Sequence, residues 1–443
     1  MNTDFKKAIF LVEDIQDNKI ITLLERVYEK LINKLDEEET PLIWISEITR
    51  TLNNHPSDYI TFKKASEFIK ENQHIPENIN VFYFISCWLH SGTFHLTNFL
   101  SMDPNVLDFL ASNNIPIIID GSTEGDNIYR STHRTFEDPC YINELKRYLK
   151  GIDKFKFYIV GGQLATDYYS HHPKRFIKEH RMFPGAFFLR SWHNSDLYNK
   201  CIEKREILFD KIKNKVITED TPIWQAFCRQ PRLTRILFQI YADHLNLTQH
   251  GSYSRLIPAK DAFLQESSAT EIFKNHSHRL NFINDTYLKN LEKIKYINNY
   301  DYDHRNLGMP FTMDSMFHIV LETCHITSEF DFKCTPSMLT EKTSMAILSG
   351  VPFITLGGHK LKKILRLLGF REYIGLELPD DGYCNYFHEL LYVLEKVQKI
   401  INLPLYKKQD LYESWKATIM YNYDVHLAID PKKLYLSCLY NDI

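Results

Sequence analysis

Short apolar runs alternate with amphipathic, charge-bearing stretches along almost the whole of this chain. That alternation constrains the fold more than any other feature. A short apolar run bounded by polar residues reads as a buried strand, and an i, i+3, i+4, i+7 pattern reads as a helix with one packed face. Regular alternation of the two is the βαβ signature of an α/β protein with parallel sheets. In the first half the spacing predicts strands at Ala8–Val12, Asn80–Ser86, Ile115–Ile119, Lys156–Val160 and Ala186–Arg190, and helices at Lys19–Leu35, Asn105–Ala111 and Tyr141–Leu149. A charged, helical stretch over Asn194–Asp220 then reads as a connection. The alternation restarts with strands at Pro222–Phe227, Met316–Glu322 and Val351–Leu356. Helices are expected at Leu233–His244, Leu339–Ser349, His359–Leu368, Tyr386–Ile401 and Lys408–Tyr421. The expected fold class is therefore α/β, with two Rossmann-like, doubly wound domains facing each other across a cleft. The expected divisions are 1–200, 215–405 and a helical segment 406–443 that packs back on the first domain; one large α/β domain with insertions is the alternative.

Composition narrows the function classes. Among the 443 residues, 44% are hydrophobic and 25% charged, which excludes a disordered chain and provides for sizeable cores. The formal charge of −3 gives no reason to expect a broad nucleic-acid-binding face, though it leaves room for a local basic groove. Apolar runs such as Val81–Leu89 fall far short of the about 20 residues needed to span a bilayer. The opening MNTDFKKAIFLVEDIQD reads as a first buried strand, not a secretory leader. The eight cysteines are scattered, without CxxC or zinc-type spacing, so a reducing compartment is expected. There is no GxGxxG, P-loop or GxSxG, which lowers the dehydrogenase, NTPase and hydrolase readings. Asp301-Tyr302-Asp303 matches an acid-x-acid pattern but sits in a loop-like context, so no metal is expected.

Residues 316–370 hold most of the information. A buried strand over Phe317–Leu321 ends in a carboxylate, Glu322, and a helix begins near Thr340, a good N-cap residue. Glu341 and Lys342 follow in its first turn. The helix dipole favours the acid there and opposes the lysine. A cation at that end makes sense if it helps the free N–H groups to hold an anion. After the next strand, Gly357-Gly358 lets the backbone approach a ligand closely, and a further helix opens near His359. Taken singly, Glu341 and Lys342 are also what a solvated first turn carries, and Gly357-Gly358 is also a simple turn. Upstream, a strand ends at Cys228-Arg229, and Arg232 and Arg235 fall in the opening turns of the following helix. Arginine binds phosphate bidentately and keeps its charge at any relevant pH; on a surface face the same arginines would pair with acids.

The string VLETC…LTEKTSMAILSGVPFITLGG resembles the C-terminal motif of the alpha-1,3-fucosyltransferase family and of related phage and bacterial glycosyltransferase-type proteins. The resemblance spans residues 222–375 and is strongest over 319–358. It departs from the family at Thr323-Cys324 and at Met338-Leu339. It implies a GT-B-like fold and an inverting, metal-independent transfer of a sugar, with fucose as the first choice, from a nucleotide-diphosphate sugar, GDP-linked first, to a hydroxyl of a glycan acceptor. No separate cofactor is implied. On this resemblance Glu341 bonds the ribose hydroxyls, Lys342 and Arg235 face the diphosphate with Arg229 as second choice, and Glu322 lies at the base of the donor pocket. Gly357 and Gly358 allow close approach. An inverting transferase also needs a base for the acceptor hydroxyl. Asp120 and Glu124, just past a strand end, are the carboxylate candidates; His90 and His95 are the imidazole ones, and a solvated acidic turn is the alternative. Two other readings stand beside this one. One is a phage-type transferase acting on modified DNA bases, and the other a GT-B-like protein that has lost catalysis and serves in binding. The expected location is the cytoplasm of a bacterial or virus-infected cell.

Overall fold

The computed structural model describes residues 6–12, 51–53, 55–72, 74–86, 103–120, 122, 155–161, 180–184, 188–189, 195–227, 233–254, 314–322, 339–357, 361–379 and 386–440. The chain divides into two compact units, Met1–Ser195 with Asp430–Ile443, and Asp196–Ile429.

Among the described residues of the first unit, six strands form one parallel sheet: β1 (Ala8–Val12), β2 (Ile60–Lys64), β3 (Asn80–Ser86), β4 (Ile117–Asp120), β5 (Phe157–Gly161) and β6 (His180–Met182). Their order is β2-β1-β3-β4-β5-β6, so the chain advances one way from β1 and the other way from β3. Two helices of this unit are α1 (Ala65–Glu71) and α2 (Pro104–Ser112). The core on one face of the sheet is aromatic. Phe10 stacks on Phe84 at 5.5 Å between ring centroids and meets Phe62 edge-on at 5.5 Å.

The second unit begins at the second residue of α3 (Ser195–Asn214). It then runs β7 (Trp224–Phe227), α4 (Leu233–His244), β8 (Gly251–Ser254), β9 (Phe317–Leu321), α5 (Glu341–Leu348), β10 (Phe353–Leu356), α6 (Leu361–Leu367), α7 (Tyr386–Ile401) and α8 (Leu405–Leu427). Its four described strands are all parallel, in the order β10-β9-β7-β8. β9 is buried at every position, as a continuous apolar run in a doubly covered sheet should be. Gly350 ends α5 with φ +66, and a Cβ there would lie 2.9 Å from Ile212 Cδ1 of α3. Only glycine satisfies both the left-handed turn and that close approach.

The last helix of the chain, α9 (Pro431–Tyr440), belongs to the first unit. Asp430 caps it by accepting the amides of Lys432 at 2.9 Å and Lys433 at 3.1 Å, with Pro431 at the first helical position. α9 lies over the aromatic face: Tyr435 meets Phe10 at 5.8 Å and Phe183 at 4.9 Å, and Arg181 bonds the carbonyl of Leu439 at 3.3 Å.

Both units are thus Rossmann-like parallel α/β, the composition expected of a GT-B-like chain. One strand is corrected. The run expected as a strand at Ala186–Arg190 places Phe188 and Leu189 in a turn, and β6 instead lies at 180–182. Both residues are fully buried. An apolar run signals burial, and burial alone does not separate a strand from a packed turn. The helices expected at 19–35 and 141–149 lie outside the described residues.

Candidate functional site

In the second sheet β7 passes through α4 to β8 on one side, while β9 passes through α5 to β10 on the other. The winding therefore reverses between β7 and β9. At such a reversal the helices that follow the two strands diverge, and a crevice opens at the strands' carboxyl ends, where open α/β sheets bind ligands. With right-handed crossovers α4 and α5 fall on opposite faces. Consistent with this, α4 packs against α7 and α5 against α8.

The residues at this edge of β9 form a connected group. Glu322 is 1% exposed and accepts the backbone amide of Thr340 at 3.0 Å together with the hydroxyls of Thr340 and Thr343. The end of β9 is thereby fastened to the opening of α5. Thr340 caps that helix, its hydroxyl accepting the amide of Lys342 at 3.4 Å. The Lys342 ammonium lies 3.1 Å from the same hydroxyl oxygen and 2.8 Å from Glu341 Oε1; both charged side chains are only 16% exposed. Burial raises the pKa of Glu322, while the nearby Lys342 charge and the bonds from Thr340 and Thr343 act against that rise. Ser344 of α5 bonds His426 of α8 at 2.7 Å, and both are buried, so the helix carrying this group is held from behind as well.

Arg235 lies in the first turn of α4, past the end of β7, and is 3% exposed. At the end of β10 the amide of Gly357 donates to Glu389 Oε1 at 3.1 Å. Glu389 stands in the first turn of α7, where the helix dipole supports a carboxylate, and is 2% exposed. It was not among the residues expected from the sequence. Its signal was present: Tyr386, Glu389, Leu390, Val393, Leu394 and Val397 form one helical stripe, and all are buried. An acid on an apolar stripe needs a partner.

The expected residues therefore separate into groups. Glu322, Glu341 and Lys342 are brought together, Arg235 opens the helix after the adjacent strand, and Gly357 is bonded to Glu389. Asp120 lies in the first unit at the end of β4. It is fully buried, accepts the hydroxyl of Tyr435 from α9, and accepts the amide and hydroxyl of Ser122 at 3.1 and 2.9 Å. Burial pushes its carboxyl up to about 6, against the pull of those hydrogen bonds. The value suits a base, but these bonds make the carboxylate a fastening for α9. Glu124, Arg229, Gly358, Arg232, His90, His95, Asp301 and Asp303 lie outside the described residues. Among the described residues no group of three or more His, Cys, Asp or Glu gathers where a metal ion could be held, and no helix is long and apolar enough to cross a membrane.

No protein-family model matches the chain, and no curated protein matches it. Among solved structures it is similar to an alpha,alpha-trehalose-phosphate synthase (UDP-forming) from Burkholderia vietnamiensis. The identity is 11%, over 98% of this chain and 99% of that one, with a TM-score of 0.39. It is also similar to the catalytic domain of Starch Synthase IV from Arabidopsis thaliana bound to ADP and acarbose. There the identity is 13%, over 78% of this chain and 66% of that one, with a TM-score of 0.27. Likenesses at this level carry no argument about chemistry, which rests on the site itself.

Proposed function

We propose that the chain is a nucleotide-sugar-dependent glycosyltransferase whose second unit holds the donor's diphosphate at the carboxyl edge of β7 and β9. One observation carries the reading: the Lys342 ammonium is fixed at the opening of α5, at a winding reversal, on a frame anchored by a buried carboxylate. The dipole opposes a lysine at that position, and an anionic ligand turns the cost into a gain. A phosphate would take over from Glu341 as the counter-ion. Arg235, at the opening of α4, is the second cation.

The chemistry follows from those groups. In the transfer, the bond from the anomeric carbon to the diphosphate oxygen breaks as the acceptor oxygen bonds to that carbon. Negative charge grows on the departing diphosphate. Lys342, Arg235 and the amides at the helix openings would stabilise it without a metal. In an inverting transfer the acceptor's proton goes to a base on the opposite side. Of the two carboxylates named for that task, Asp120 already holds Tyr435 and Ser122, so Glu124 is the first to be replaced in a test. The resemblance of the Thr340-Glu341-Lys342 segment supports a GDP-linked sugar, fucose first, and a glycan acceptor.

A screen of GDP-, UDP- and CDP-sugar hydrolysis, with and without EDTA, tests the reading. Release of one nucleoside diphosphate, unaffected by EDTA and reduced in Lys342→Ala, is expected. No release from any donor, or release abolished by EDTA, contradicts it.

A further inference from the structure

We propose that Thr340 is a positioning residue: its hydroxyl, oriented by Glu322, holds the Lys342 ammonium at the opening of α5. An ionised carboxylate accepts hydrogen bonds and donates none. A threonine hydroxyl has one proton, and here that proton goes to Glu322 Oε2. The lone pairs of the hydroxyl oxygen are thereby turned toward Lys342, accepting its ammonium at 3.1 Å and its amide at 3.4 Å. Polarity therefore runs in one direction, from ammonium to hydroxyl to carboxylate. The carboxylate is fixed in turn, because its other oxygen accepts the Thr340 amide at 3.0 Å and the Thr343 hydroxyl. A side chain in place of Glu322 that offered a proton would let the Thr340 hydroxyl reverse and point its hydrogen at the ammonium. With the Thr340 hydroxyl removed, the ammonium loses one of the acceptors that fix its direction, while Glu341, at 2.8 Å, stays in place.

The arrangement contains its own control. Thr343 also donates to buried Glu322, from the same helix turn, but its hydroxyl has no bond to Lys342. Loss of either hydroxyl leaves the same carboxylate short of one donor. Only loss of Thr340 breaks the link to the ammonium.

The test uses the full chain with Thr340→Val, Thr340→Ala, Thr340→Ser and Thr343→Val. Two readouts are needed: the rate at which acetic anhydride labels Lys342 at fixed pH without ligand, followed by peptide mass spectrometry, and the Kd for GDP by titration calorimetry. The second readout rests on the proposed donor reading, and the first does not. We expect Thr340→Val and Thr340→Ala to change the labelling rate about threefold and to weaken GDP binding about tenfold, the size of one lost charge-assisted hydrogen bond. Thr340→Ser should restore both. Thr343→Val should lower the urea midpoint as Thr340→Val does, yet leave labelling and Kd where they were. Labelling that moves equally in Thr343→Val and Thr340→Val, or in neither, overturns the proposal. If the wild-type chain binds no nucleoside diphosphate, the donor reading fails, and the labelling comparison still decides the role of Thr340.

Discussion

Replacing Asp120 by Asn should remove a pH dependence of stability that runs opposite to that of most carboxylates. Asp120 is fully buried beneath α9, and burial raises its carboxyl from the ordinary 3.8 to about 6. A raised folded value means that the native state holds the proton more tightly than the unfolded chain does. The group's contribution is therefore complete below about pH 4 and is lost as pH rises through about 6. At about 1.4 kcal/mol per tenfold change in proton affinity, the loss is about 3 kcal/mol by pH 8. The assay is urea unfolding of the wild type and Asp120→Asn from pH 4 to pH 8, read as the difference between the two proteins so that other titrating groups cancel. The Asn variant should gain about 3 kcal/mol on the wild type across that range. A difference that stays flat with pH would refute the reasoning, because Asp120 would then titrate alike in both states.

Three further outcomes follow from neighbouring contacts. Tyr435→Phe removes the hydroxyl that Asp120 accepts and leaves a buried carboxylate short of a donor, so urea titration should show a loss of about 1–3 kcal/mol at pH 7. Gly251→Ala would drive a Cβ into the ring of fully buried Trp224, so urea titration should show a loss of about 3 kcal/mol. Glu389→Ala removes the acceptor of the Gly357 amide, and hydrogen exchange at that amide should accelerate while exchange in α8 stays unchanged.

The parts of the fold legible in the sequence are those governed by local periodicity. Leu233–His244 and Tyr386–Ile401 are helices with the boundaries that their apolar stripes specify, because a sustained 3.6-residue pattern has no competing explanation. The strands β1 and β3 likewise coincide with their apolar runs. β2 with α1 was not anticipated: Ile60-Thr61-Phe62-Lys63-Lys64 is half exposed and reads as a polar stretch, although it is a paired edge strand. The C-terminal region was expected as one helical segment. It is two helices in different units, and the break at Asp430-Pro431 is written in the sequence as a cap followed by proline. The site shows the same division. Thr340, Glu341 and Lys342 could be read as a helix opening, and Glu322 as a strand end. That Glu322 fastens the two together depends on a contact between residues 18 apart across a crossover. The bond from Tyr435 to Asp120 spans 315 residues and leaves no local trace, so Asp120 looked like a loop acid available for chemistry.

The central claim is that Lys342 and Arg235 serve one diphosphate. Calorimetric titration of GDP and UDP into the wild type, Lys342→Ala, Arg235→Ala and the double variant tests it most directly. The account predicts binding by the wild type, a loss of about 1.5–3 kcal/mol in each single variant, and a double loss smaller than the sum, as for two groups that share one ligand. Wild-type affinity retained in both single variants would contradict it.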